Sequence, residues 1–152
     1  MRFALAPLVL FAIVLGLFAA PVPKAGKVKD EEAILGVWQV EKLEFGPGVP
    51  APSVDFTQVR FTFKAGGKMV MTMGEMPAKE GEYKLDPAAK AKAIDLTESG
   101  RVVPGLYELD GDTLKLCIAE GQNGARPTEL KPDGMRVALA TLKRVKEEKK
   151  EK

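Results

Sequence analysis

Ile34-Leu35-Gly36-Val37-Trp38-Gln39-Val40 holds the chain's single tryptophan, and its reading decides the fold. Asp30 to Leu35 predicts a short acidic helical turn running into Gly36, with a strand that begins near Trp38. A helix-to-strand corner with a large indole just beyond it suits the closed end of a small β-barrel. One such ring fills space that would otherwise take several aliphatic side chains.

Outward from this corner, apolar residues recur with period two rather than 3.6. Trp38 to Phe45 reads as the first strand, and the Pro-rich stretch Gly46 to Asp55 reads as a long irregular connection. Val59-Arg60-Phe61-Thr62-Phe63-Lys64 alternates cleanly, turns at Ala65 to Lys68 and returns as Met69-Val70-Met71-Thr72-Met73. Gly81 to Leu85 and Ala93 to Thr97 are further short strands. Gly105 to Leu109 meets the turn Asp110-Gly111-Asp112, and Thr113 to Ile118 is the returning strand. Gly121 to Asp133 is rich in Gly and Pro and reads as a loop before a last strand, Met135 to Leu142. The sum is about eight short antiparallel strands, each with one apolar face. They can pack as a sandwich or close into a barrel. Because nearly every strand can pair with its sequence neighbour, the expectation is an all-β, up-and-down barrel with a short N-terminal helical turn.

Of the 152 residues, 45% are apolar and 29% charged, the composition of an ordinary globular domain. The formal net charge is +2, from 23 basic against 21 acidic residues, and supplies no clustered basic face for nucleic acid. Cys117 stands alone, so no internal disulfide forms. Histidine is absent, which removes the commonest general base and metal ligand. No Gly-rich phosphate loop and no zinc-type spacing is present, so no cofactor and no metal is expected.

Residues 1–20 carry a basic start and an apolar run from Phe3 to Ala20, the pattern of a secretory signal or, if uncleaved, of an N-terminal anchor. Both readings export the remainder to the periplasm or the outside, and only the second brings it to a membrane. Residues 21–29 read as a linker, 30–144 as the barrel domain, and 145–152 as a charged, solvated tail.

Two resemblances follow from these residues. Gly36-Val37-Trp38 after a helical turn resembles the opening of the lipocalins and related calycin barrels. In that family a basic residue at the end of the last strand packs over the tryptophan, and this implies Arg144 in that role here. The order of Gly36-Val37-Trp38, Gly81 to Pro87, Lys92 to Thr97, Gly105 to Leu114, Arg126-Pro127-Thr128-Glu129 and Leu142-Lys143-Arg144 resembles a small exported domain found in many copies in planctomycete bacteria. That family implies a fold and a compartment but no activity. This chain departs from it in its Met-rich hairpin (Met69, Met71, Met73, Met76).

Six groups of residues bear on function. Phe61, Phe63, Tyr83, Tyr107 and Leu116 share predicted inward faces; they either line a cup for a small apolar ligand or fill the interior, since eight strands leave little more than side-chain room. Gly36, Trp38 and Arg144 form the expected barrel closure. The methionines suit soft metal ligation as well as gap-filling, and their alternation favours the latter. Asp110 and Asp112 flank a glycine as in a calcium loop, though a tight hairpin turn accounts for all three residues. Arg126 and Glu129 are the loop residues best suited to a polar contact at the rim, or to a structural one. Cys117 should face away from Leu116 and Ile118, with no base beside it to make it a nucleophile. The sequence therefore predicts a lipocalin-like binding module without catalysis. An envelope-associated interaction or structural domain, with a protein partner, stands beside it.

Overall fold

The computed structural model describes residues 28–50, 53–119, 124–134 and 137–146. The predicted signal or anchor at 1–20, most of the linker and residues 147–152 of the tail lie outside the described residues.

The chain folds as a closed barrel in which each strand pairs antiparallel with its sequence neighbours and the last pairs with the first. A short helical turn, α1 (Asp30–Ala33), precedes β1 (Gly36–Glu44), and a 3-10 turn (Phe56–Gln58) leads into β2 (Val59–Lys64). The remaining strands are β3 (Lys68–Met73), β4 (Lys79–Asp86), β5 (Ala93–Glu98), β6 (Arg101–Asp110), β7 (Thr113–Ala119) and β8 (Val137–Arg144). Full closure leaves no edge strand to be covered.

Alternation sets the faces. In β2, Val59, Phe61 and Phe63 are buried while Arg60 and Lys64 are exposed. Opposite them in β3 lie Met73, Met71 and Met69 respectively, so the methionines complete the inner face of this hairpin. A bulge between Val40 and Lys42 breaks the β1–β8 register. The extra residue, Glu41, keeps Lys42 exposed and turns Leu43 to the inside opposite Ala140. At the inward position Gly81, a Cβ would stand 2.4 Å from the carbonyl oxygen of Thr97, so β4 approaches β5 more closely there than any side chain permits.

Strand β6 begins at Arg101, four residues before its expected start at Gly105. Pro104 is paired with Asp95 of β5, and the pairing with β7 starts only at Gly105, so a residue without an N–H is tolerated where the second neighbour has ended. The Phe56–Gln58 turn was also not foreseen; Asp55 caps it by accepting a hydrogen bond from the Thr57 amide at 3.0 Å.

Candidate functional site

The barrel has two unlike ends. At the closed end, α1 lies beneath the interior, and its final carbonyls would be orphaned there without partners. The indole Nε1 of Trp38 donates to Ile34 O at 2.7 Å. Arg144 donates through its terminal nitrogens to Ala33 O and Leu35 O, each at 2.6 Å. Three successive carbonyls are thus satisfied by two side chains. The same guanidinium stacks over the Trp38 ring, 4.2 Å from its centroid, and donates to Asp112 Oδ1 at 3.1 Å. Gly36 has φ +119°, and a Cβ there would stand 3.1 Å from the guanidinium, so both backbone conformation and space call for glycine. The structure brings Gly36, Trp38 and Arg144 together in one closure.

A second polar group braces this end. Asp30 accepts from the Tyr107 hydroxyl at 2.7 Å and from Lys92 Nζ at 2.6 Å, while the Lys92 ammonium lies 5.8 Å from the centre of the Tyr107 ring. Burial first, and then the hydrogen bond to Asp30, pushes the Tyr107 hydroxyl far above the ordinary phenol value. Phe63 packs between Phe61, near-parallel at 6.2 Å between centroids, and Tyr83, edge-on at 5.0 Å. The Tyr83 hydroxyl donates to Lys64 O at 3.0 Å.

The other end, the mouth, contains an apolar cavity of about 260 Å³. Its walls are Val40 and Leu43 from β1, Phe56 from the 3-10 turn, Val59 and Phe61 from β2, and Met71 and Met73 from β3. Leu116 and Ile118 of β7 and Ala138 and Ala140 of β8 complete it. The alanines are the sequence reason for the space: β8 presents Leu142 to the closed end but only methyl groups to the mouth. Leu43, Phe56, Met71, Met73 and Ile118 are partly exposed, so the cavity communicates with solvent. Larger hollows of about 370 and 470 Å³ lie along the outer wall around Gln39 and Thr57, but charged groups line both, Glu41, Lys143 and Arg144 the first and Arg60 and Glu75 the second. The inner cavity is the one that would strip water from an apolar molecule.

The five predicted inward residues all face the interior but divide between its ends. Phe61 and Leu116 border the cavity; Phe63, Tyr83 and Tyr107 do not, and pack the closed half. Met71 and Met73, read as gap-fillers, border the cavity, and Met69 is buried below it. Leu43, Phe56, Ala138 and Ala140 were not singled out from the sequence. A bulge, an unforeseen turn and two small residues in a regular strand carry no signal of a pocket.

Arg126 is placed away from the rim. It lies against the outer wall of β5 and β6, donating to Ile94 O at 3.2 Å, Gly105 O at 2.8 Å and Asp95 Oδ1 at 2.6 Å. Glu129 pairs with Lys131. The Arg126 contacts hold the 124–134 segment over a second, outer apolar row in which Ala93, Leu106, Cys117 and Leu139 follow one another across four strands, with Leu130 above. Cys117 faces away from Leu116, as the alternation predicts, and is fully buried in this outer row. Its Sγ lies 3.5 Å from Glu129 O and 3.4 Å from Lys131 O, and burial pushes the thiol up. Among the described residues no group of three or more His, Cys, Asp or Glu converges to hold a metal ion.

Comparison with known protein families, curated proteins and solved structures finds no match to this chain.

Proposed function

We propose that the chain is an exported, lipocalin-like module that holds a small apolar ligand in the mouth of its barrel. The observation that carries this reading is the cavity of about 260 Å³ whose lining includes no ionisable side chain. It is larger than the roughly 150 Å³ that suffices for benzene, and at about 30 Å³ per atom it accommodates about nine non-hydrogen atoms. An unbranched chain of about eight carbons fits that volume, with any charged group left in water at the mouth. Export rests on the sequence of residues 1–20.

Two measurements test the proposal. Native mass spectrometry of the protein taken from its own envelope, compared with the denatured sample, should show a small mass that is lost on unfolding. Octanoic acid should bind the purified chain with a dissociation constant on the order of 0.1–1 mM. Burial of its alkyl carbons at about 0.8 kcal/mol each is offset in part by the cost of association. Absence of both a bound mass and octanoate binding would overturn the ligand reading in favour of an envelope interaction domain.

A further inference from the structure

We propose that Met71 and Met73 are an oxidation site through which peroxide empties the mouth cavity; the proposal rests on the ligand reading above. Both methionines border the cavity and are partly exposed. Two neighbours on the same hairpin serve as internal references. Met69 is on the same face but only 5% exposed, whereas Met76 is 55% exposed and does not border the cavity.

The chemistry needs only a hydroperoxide. With hydrogen peroxide, the thioether sulfur attacks one oxygen; an S–O bond forms, the O–O bond breaks, and the departing hydroxide takes the proton left on the sulfur-bound oxygen to give water. Sulfur loses two electrons and the peroxide gains them. The product is a sulfoxide with a strong dipole where a flexible apolar group had been. The side chains lining the cavity supply no N–H or O–H to that oxygen, so it is satisfied only by admitting water where an apolar ligand would lie. Two other oxidisable side chains are shielded. Cys117 is fully buried in the outer row, which keeps it from the thiolate form that reacts. Trp38 is fully buried beneath Arg144. Sulfoxide reductases reverse methionine oxidation, so the loss of ligand is recoverable.

The experiment is a graded hydrogen peroxide treatment of the full chain, with oxygen addition mapped by peptide mass and octanoate binding measured on the same samples. The expected order is Met76 first, Met73 and Met71 next, and Met69 last. Octanoate binding should be unchanged by the Met76 sulfoxide and weakened at least about tenfold by sulfoxides at 71 and 73. The double variant Met71→Leu, Met73→Leu alters the cavity wall and so sets its own starting affinity for octanoate, but peroxide should leave that affinity where it was. Undiminished binding with both sulfoxides in place, loss of binding by the oxidised double variant, or Met69 reacting as fast as Met73 would overturn the proposal. If untreated protein neither carries a bound mass nor binds octanoate, the functional reading fails by itself. The methyl resonances of Ala138 and Ala140 then decide the oxidation step. Shifts that accompany the sulfoxides support remodelling of the cavity, and unmoved resonances overturn it.

Discussion

At the closed end of the barrel the large side chains have polar anchors: Trp38 on Ile34 O, Arg144 on Ala33 O and Leu35 O, Tyr107 on Asp30. At the mouth, Leu43, Phe61, Leu116 and Ile118 border space instead. One strand shows the difference in miniature. β8 sends Leu142 and Arg144 to the closed end and Ala138 and Ala140 to the mouth. The same period-two pattern thus yields a packed, hydrogen-bonded plug at one end and an open apolar cup at the other, separated by side-chain volume and by polar anchors. If the anchors carry most of the stability, changes at the plug should cost more than changes at the cup.

The sharpest way to break this contrast is Trp38→Ala. It removes a fully buried indole, strips Ile34 O of its donor and leaves Arg144 without a ring to cover. A loss of about 3–5 kcal/mol is expected in urea unfolding followed by circular dichroism. A loss below about 1 kcal/mol would show that the plug does not hold the fold.

A smaller effect is expected from Tyr107→Phe, which keeps the ring and deletes one hydroxyl; the loss should be about 1–2 kcal/mol near neutral pH. The folded hydroxyl titrates above its ordinary value of 10.0 because of burial and Asp30. Its contribution is therefore fully present below about pH 10 and is lost as the pH rises from there toward the folded value. Melting temperatures measured into the alkaline range should fall more steeply for the wild-type chain than for the variant, and parallel curves would refute the assignment.

The least effect on stability, and the greatest on the cup, is expected from Ala140→Leu. The added side chain occupies existing space, so stability should change by no more than about 1 kcal/mol. Octanoate binding, followed by calorimetry, should disappear. A loss of more than about 3 kcal/mol would mean that the cavity cannot accept the atoms its volume suggests.

Much of this architecture was legible because alternation and turn chemistry are local. Val59 to Met73 announced a hairpin, Asp110-Gly111-Asp112 another, and neighbour pairing joined them into a barrel. Trp38 and Arg144 were legible as a pair only through the lipocalin resemblance, since nothing in their spacing brings residues so far apart in sequence into contact. The division of the inward residues between plug and cup was not legible. Tyr107 and Leu116 look alike as inward residues, and their roles part only when Asp30 takes up one and Ala140 stands opposite the other. The outer row was hidden for a similar reason. Ala93, Leu106, Cys117 and Leu139 alternate onto the solvent face, and only a returning segment, clamped by Arg126, makes that face an interior.

At the closed end, the Val145 amide donates to Val37 O at 2.8 Å, so the chain leaves β8 alongside the point where it enters β1. The fold is therefore encoded by the cyclic order of its strands more than by where that cycle is cut. A circular permutant that joins the two ends by a short linker and opens at the exposed turn after Met73 should retain all eight strand pairings. Its new ends would emerge at the mouth, while its plug would become continuous chain.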